Sequence, residues 1–449
     1  MHWKATTVLI CVYGIVKEFR PGTPFLTPFL VSEYKNLTRA EVHGDIYPFW
    51  TYSYFLFMVP VFFLTDILRY KPIIVLEAAT LSGTWALLVW GQGRLQMQFM
   101  QIIFGLSSAA EIAYYSYMYA MVHERNYKRV SSYIRSAAMI GKLIAFSLAQ
   151  FLVSTNSGSY LLLNQISFVA VSVVTVIALF LPPVPTPNID KQVQVRAVGG
   201  SLPTKDEEEA TEDQPLRYYG IYICKSIVIL IFLSSRGEVE RTKMSSGVRL
   251  YIVLTIRSLS IYRTSPTVLK WSIWWALAAC GYYQVCNYAQ MLWISMQTDV
   301  DHVQNGLAEI ANTLTGAALS FGMQFLSLDW TKWGGPTLAA SSLLIAALQF
   351  ISAYTDQIYI AYICYVFTSA IYHMLITAAC SNIATSLTSS NYGLVFGMNT
   401  FAALILQTMI TFLVADSNGF NLEIRDQFVV YGVYFGIVGV IFIISIIVS

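Results

Sequence analysis

Glu111 is a carboxylate inside a long apolar run at 97–122, where an ionisable group is costly and usually functional. Helical spacing places Tyr114 and Tyr115 on the same face of a helix as Glu111. A carboxylate beside aromatic rings suits a flat organic cation, through an ion pair and cation–π contacts. The structural alternative is an ion pair with Arg135 or Lys142 of the next apolar run, which would stabilise the helix bundle.

Aromatic and amide side chains provide further candidates. Tyr47 and Trp50 lie three residues apart where an apolar run begins, and an aromatic belt at the membrane interface explains such clusters more often than a ligand does. Asn287 and Gln290 share a helix face and could bind a ligand or link helices by hydrogen bonds. His373 is interpreted as a packed core histidine rather than a proton relay.

The charged residues inside apolar runs are unevenly distributed. In the first half they are Lys17, Glu18, Arg20, Glu77, Glu111, Arg135 and Lys142. In the second half Glu309 is the only one, and the basic residues after Lys270 are Lys332 and Arg425, both in polar loops. A site between the two halves therefore receives no cation from the second half.

Motifs of catalysis and metal binding are absent from the sequence. It holds no serine nucleophile elbow, phosphate-binding loop, HExxH motif or closely spaced pair of catalytic carboxylates. Its six cysteines are scattered, without the spacing of a disulfide framework or a metal site. We expect no catalytic residues, no metal and no cofactor, and therefore no enzyme.

The composition indicates which solvent surrounds these residues. Of 449 residues, 56% are hydrophobic and 12% are charged, whereas an ordinary soluble domain has about 25% charged residues. A net charge of +2 leaves no basic surplus for binding phosphates. The composition excludes a soluble enzyme, a disordered chain and a nucleic-acid-binding protein, and it predicts a protein embedded in the lipid bilayer.

Twelve apolar stretches, each long enough for a transmembrane helix of about 20 residues, divide into two sets of six. The first set begins with the apolar run Val8–Val16 near the amino terminus, which starts a first span, and continues at 49–68, 72–91, 97–122, 131–154 and 160–181. The second set lies at 271–295, 304–328, 334–354, 357–379, 392–415 and 427–448. We predict two six-helix halves, 1–181 and 271–449, joined by a central loop at 182–270.

The positions of lysine and arginine predict the orientation in the membrane. Twelve of the 27 basic residues lie between Lys191 and Lys270, which places the central loop and both termini in the cytoplasm. The first loop on the other side contains Asn36 in an Asn-Leu-Thr acceptor sequence for N-glycosylation. We expect a multi-pass plasma-membrane protein. Residues 218–262 do not fit this scheme, because Lys225 and Arg257 interrupt their short apolar stretches, and we interpret them as interfacial or poorly ordered.

Several segments, in order along the chain, resemble the reduced folate carrier and thiamine transporter family. They are 17–30, 35–38, 49–54, 64–72, 272–275 and 394–401, and the resemblance covers nearly the whole chain outside about 185–265. It implies an all-α polytopic membrane protein of the major facilitator fold, with 12 transmembrane helices as 6+6. Its halves would rock around a central site for a vitamin, by alternating access.

The branches of that family differ at two charged positions. Folate-carrying members have an arginine where this chain has Glu111, and a lysine where it has Gln407. Thiamine-carrying members resemble this chain at both positions. Since folate is a dianion and thiamine is a cation, the carboxylate favours thiamine. The resemblance therefore implies a secondary-active transporter that prefers a thiamine-type cation.

The resemblance also implies roles for individual residues. Glu111 would bind the aminopyrimidine of thiamine, Tyr114 and Trp50 would stack on the ligand with Tyr47 nearby, and Asn287 would add a hydrogen bond. Glu309 resembles a family glutamate that contributes to the cavity or to gating.

One position departs from the family pattern: Thr23 stands where both branches usually have a glutamate. A missing carboxylate weakens the attraction for a cation, so three alternatives stay open. They are a folate carrier, a carrier of a related vitamin such as a B6 form, and a receptor on the same fold that does not transport. Coupling to protons or to organic anions is also open.

Overall fold

The computed structural model describes residues 3–68, 70–121, 127–184, 261–297, 303–322, 329–386 and 392–448. Throughout these ranges the regular structure is helical, with no β-strand. Most of the predicted central loop lies outside the described residues, as does the irregular segment up to residue 260.

Twelve helices, which we number α1 to α12, follow the predicted spans. They are α1 Trp3–Glu18, α2 Tyr47–Ile67, α3 Lys71–Trp90, α4 Gly93–Met121, α5 Tyr127–Ser154, α6 Tyr160–Phe180, α7 Pro266–Met296, α8 Asn305–Gly322, α9 Trp330–Tyr354, α10 Ile358–Thr385, α11 Tyr392–Ile410 and α12 Ile424–Val448. Seven helical stretches in the described ranges are long and apolar enough to cross a membrane. The predicted all-α architecture of six plus six helices is confirmed.

Short helical pieces flank four of these helices. A 3-10 turn at Thr23–Phe25 and a short helix at Leu26–Val31 follow α1, while π-helical turns at Glu41–Ile46 and Thr411–Ala415 precede α2 and follow α11. A short helix at Ile261–Thr264 precedes α7, which begins before the predicted start at 271.

Each half packs around its own set of helices. In the first half α4 packs against α2 and α3, α6 packs against α3, and α1 packs against α5. In the second half α7 packs against α10 and α11, α9 packs against α12, and α8 packs against α10. The halves meet along two helix pairs, α2 with α11 and α5 with α8.

The break after α1 positions the charged residues of the first half. Pro21 lacks a backbone N–H and disfavours a helical conformation in the residue before it, so α1 ends at Glu18. Gly22 is needed at the break because a Cβ there would come within 2.7 Å of Asn164 Oδ1. Its backbone N–H donates to Ser167 Oγ at 2.9 Å, which satisfies a group that lipid could not. As a result, Lys17 and Glu18 lie in the last turn of α1, inside the bundle.

Gly141 allows α5 to approach α1 closely. An added Cβ at Gly141 would overlap the carbonyl oxygen of Ile15 and lie 3.1 Å from its Cα, so the backbone of α1 would have to move. Gly436 in α12 is a matched site, because nothing lies within 4 Å of the Cβ that an alanine would add there.

We expect Gly141→Ala to destabilise the protein by about 1–3 kcal/mol, the usual cost of overpacking, and Gly436→Ala to leave its stability unchanged or slightly higher. The measurement is the Tm of each purified variant in detergent. Equal Tm values for the two variants would contradict the close α1–α5 packing.

Candidate functional site

Glu111 belongs to a buried charge cluster that three helices build. Lys17 Nζ of α1 lies 2.7 Å from Glu77 Oε1 of α3 and 2.8 Å from Glu111 Oε1 of α4. The hydroxyl of Tyr13 donates to the other oxygen of Glu77 at 3.1 Å. The Lys17 and Glu77 side chains are 5% and 2% exposed, whereas that of Glu111 is 38% exposed. Glu111 is therefore the open end of the cluster.

The partner of Glu111 differs from the pairing that the sequence suggested as the structural alternative. Neither Arg135 nor Lys142 pairs with it in the described part of the chain; its partner is Lys17. Lys142 instead lies 3.7 Å from Glu18, which also accepts a hydrogen bond from Arg20 at 2.7 Å. Lys17 and Glu18 both lie in the last turn of α1, so α1 supplies one charge to each of these two clusters.

Tyrosine rings surround the ammonium group of Lys17. It lies 4.7 Å from the centre of the Tyr114 ring and 5.9 Å from that of Tyr115. Tyr114 is buried, with its hydroxyl donating to the carbonyl of Ile10 at 3.2 Å, while Tyr115 is 40% exposed. In this conformation Tyr115, rather than Tyr114, offers an open ring beside Glu111.

Trp50 and Tyr47 lie on α2, facing other helices. Trp50 Nε1 donates to Ser108 Oγ of α4 at 3.1 Å, and its half-buried ring stacks near Phe104. Tyr47 is buried and shares a short hydrogen bond of 2.5 Å with Thr27 Oγ1. Trp50 thus lies against the same helix as Glu111, whereas Tyr47 belongs to the contacts that close one end of the bundle.

The amides of α7 divide between two roles. Gln290 accepts from the backbone N–H of Thr27 at 3.1 Å and donates to the carbonyl of Thr23 at 2.9 Å, so it links the second half to the broken α1. Asn287, one turn away, has a buried Nδ2 without a hydrogen-bond partner in the described part of the protein. An unpaired buried amide is costly, so Asn287 has a donor on α7 that a ligand could satisfy.

Gln407 lies on α11, packed against α7. Gln284 Nε2 donates to its backbone carbonyl at 3.0 Å. The Gln407 side chain is fully buried, and neither its oxygen nor its nitrogen has a partner among the described residues.

Glu309 of α8 and His373 of α10 are the two other ionisable candidates of the second half. Glu309 accepts hydrogen bonds from Tyr365 at 2.9 Å and from Asn312 at 3.2 Å, and it has no ion pair within the described ranges. His373 packs edge-on against the Tyr282 ring, and its Nε2 lies 3.2 Å from the Tyr282 hydroxyl, as expected for a core histidine.

The sequence did not predict the Lys17–Glu77–Glu111 cluster. All three charges were visible as ionisable residues in apolar runs, but nothing in the sequence indicates which of them meet. The five cysteines in the described part of the chain are free, and no group of residues there could hold a metal ion.

The end of the bundle opposite the chain termini, which we call the distal end, is closed by contacts between the halves. Tyr52 of α2 donates to Asp416 Oδ2 at 2.6 Å, and the N–H of Ser417 donates to the carbonyl of Gly44 at 3.2 Å. These contacts hold the two halves together at the distal end. The Gln290 bridge also joins the two halves, at the break after α1.

Comparisons with known proteins agree with this architecture. A family model described as "Reduced folate carrier" matches residues 1–430. Folate transporter 1 of Caenorhabditis elegans is 48% identical over 442 residues, covering 98% of this chain and 92% of that protein. Human thiamine transporter 1 is 40% identical over 455 residues, covering 99% of this chain and 89% of that protein.

Solved structures show the fold. The POT family transporter PepTSo is similar with a TM-score of 0.67 at 12% identity, covering 99% of this chain and 98% of that one. A bacterial homologue of the human lysosomal transporter Spinster has a TM-score of 0.64 at 12% identity, covering 99% and 96%. The predicted major facilitator fold is confirmed.

The Tyr52–Asp416 hydrogen bond predicts how the distal end responds to mutation. Tyr52→Phe removes a bond to a charged acceptor, worth about 1.5–3 kcal/mol, and should favour separation of the halves at this end. A cysteine placed at the buried position Thr27 then becomes alkylated about tenfold faster or more in the Tyr52→Phe background.

The matched control is Tyr359→Phe, which changes a tyrosine that is 60% exposed. Alkylation at position 27 should proceed at the same rate in that background as in the unmodified one. An unchanged rate with Tyr52→Phe would show that the Tyr52–Asp416 bond does not keep the distal end closed.

Proposed function

The chain belongs to the reduced folate carrier family, and we propose that it carries thiamine across the membrane in preference to folate. Its relatives are transporters of these vitamins rather than enzymes. The proposal assigns the substrate, the binding residues and the mode of transport to this chain.

The half-exposed carboxylate of Glu111 is the observation that carries the choice of a cation. Glu77 and Glu111 share one cation, Lys17, so the three charges together leave one negative charge. Glu111 Oε1 contacts Lys17, which leaves the second oxygen of this carboxylate for an ammonium or aminopyrimidine group. In a site of low dielectric, that charge attracts a cation strongly and repels a dianion.

The rest of the site offers rings and amides to a flat ligand. Trp50 and Tyr115 provide aromatic surface near Glu111, and Tyr114 supports the cluster from its buried side. From the second half, Asn287 would donate a hydrogen bond and Glu309 would supply a carboxylate that no cation neutralises in the described residues. Gln407 and Tyr47 would reach the ligand only after a local rearrangement, because both are buried.

Folate is the second candidate, favoured by the 48% identity to a protein named folate transporter 1. Lys142 is the cation that would serve folate best. Its side chain is 44% exposed, and at 3.7 Å from Glu18 it is more loosely paired than Lys17 or Arg20. For a folate carrier, Lys142→Gln would reduce folate uptake without affecting thiamine.

We further propose transport by alternating access, with the halves separating at one end and then at the other. The lysine and arginine bias favours cytoplasmic termini and a plasma-membrane location. Glu309 is a carboxylate without an ion pair in the described residues, which favours coupling of transport to protons. Exchange of the substrate for an organic anion is the alternative mode of coupling.

Asn36 is proposed as an N-glycosylation site. It is exposed, in a loop at the distal end where the chain adopts φ 52°, and Thr38 of the same acceptor sequence caps the following turn with Glu41. Loss of a glycosidase-sensitive mass in Asn36→Gln would support both the modification and an external distal end.

Uptake of labelled thiamine and labelled folate, in cells expressing the chain and in vector controls, tests the substrate. We expect thiamine uptake above the control and weak folate uptake. Folate uptake without thiamine uptake would reject thiamine in favour of the second candidate. Binding by the purified protein without movement into liposomes would instead indicate a receptor.

Glu111→Gln should reduce thiamine uptake at subsaturating substrate tenfold or more, because it removes an ion pair worth at least about 1.4 kcal/mol in a desolvated site. Glu423→Gln, at an exposed carboxylate in the loop before α12, is the control and should leave uptake unchanged. Near-normal uptake by Glu111→Gln at wild-type surface expression would assign Glu111 a structural role.

A further inference from the structure

We propose that Lys17 is a tethered internal cation that competes with the substrate for Glu111 and thereby sets the affinity of the site for organic cations. The inference rests on the proposed cation-binding function, and it identifies a residue that determines specificity without belonging to the surface that contacts the ligand.

Lys17 has one fixed partner and one exchangeable partner. Glu77 is almost completely buried, and Tyr13 holds its second oxygen, so its contact with Lys17 is protected from solvent. Glu111 is partly exposed, and its contact with Lys17 can be replaced by a ligand or by water. A lysine that leaves Glu111 keeps Glu77, so exchange breaks one ion pair and strands no buried charge.

The ammonium group of Lys17 contacts the same groups that a cationic ligand would contact. Besides Glu111, it faces the rings of Tyr114 and Tyr115, which are the aromatic part of the cluster. An organic cation that approaches Glu111 must therefore share or displace Lys17, and the free energy of the Lys17–Glu111 contact is subtracted from that of binding.

The end of α1 makes such an exchange feasible. Lys17 lies in the last turn of α1, where the partial negative charge of the helix terminus favours a cation in either position. Its flexible four-carbon side chain can move the ammonium away from Glu111 while the backbone stays in place. Lys17 therefore stabilises Glu111 when the site is empty and yields it when the site is filled.

Lys17→Met combined with Glu77→Gln separates this role from a purely structural one. The double variant removes both members of the internal ion pair, so neither charge is left buried without a partner. The cluster keeps a net charge of −1, carried by Glu111. Glutamine can still accept the hydrogen bond of Tyr13, and methionine replaces the lysine side chain with an unbranched apolar one. What changes is that Glu111 has no internal cation.

The test is the Kd for thiamine of the purified protein, from the dependence of its Tm on thiamine concentration. We expect the double variant to bind about tenfold more tightly than the wild type, equivalent to about 1.4 kcal/mol. Glu77→Gln alone leaves Lys17 with Glu111 as its one carboxylate partner, so it should bind thiamine more weakly than the wild type. Arg94→Gln with Asp45→Asn removes the ion pair between the π-helical turn before α2 and the first turn of α4, and it should leave the Kd unchanged.

A Kd in the double variant equal to or weaker than that of the wild type would overturn the inference, as would the absence of thiamine binding in both. Tighter binding by the double variant, combined with no thiamine uptake by the wild type, would reject the proposed function while supporting Lys17 as the competing cation. The two proposals therefore fail on different measurements.

Discussion

The membrane imposes one constraint on which the rest of this structure depends: a charge placed inside the bundle must meet an opposite charge or a hydrogen bond. Lys17 illustrates it, because it is buried in the last turn of α1 and contacts two carboxylates from two other helices. These contacts fix α1 against α3 and α4 in the first half. They also leave Glu111 partly exposed, so the requirement that stabilises the bundle produces a carboxylate that a ligand can reach.

The same constraint applies to the backbone. The break after Glu18 frees peptide groups that lipid cannot satisfy, and side chains from α6 and α7 bind them instead. Because α7 belongs to the second half, the Gln290 bridge couples the halves at the break. A movement of the second half away from α1 must disrupt this bridge, whose partners Thr23 and Thr27 lie six and ten residues beyond Lys17. In the alternating-access mechanism that we propose, movement of the second half would therefore act on the charge cluster through a short piece of chain.

The sequence predicted the helices well and the contacts between them poorly, for physical reasons. Apolar runs of the required length have few alternatives in a membrane, so α3, α6 and α12 follow the predicted spans closely. The charge cluster of Glu111 was a different problem, because Lys17 and Glu77, its other members, are 94 and 34 positions away along the chain. Hydrophobicity reports that a residue lies in a span, but not which neighbouring helix it faces.

Overall sequence identity counts all positions alike, whereas the preference of a site for a cationic or an anionic substrate depends on very few residues. The chain is more similar to a folate transporter than to the thiamine transporters, yet two of its buried cations contact carboxylates closely: Lys17 with Glu77 and Glu111, and Arg20 with Glu18. A dianion could approach Lys142, which is 44% exposed, but to use Lys17 or Arg20 as well it would have to draw them from these pairs and leave buried carboxylates unpaired. A cation needs to displace only Lys17 from Glu111, and the contact with Glu77 survives. The local balance of charge therefore supports thiamine more strongly than the identity supports folate.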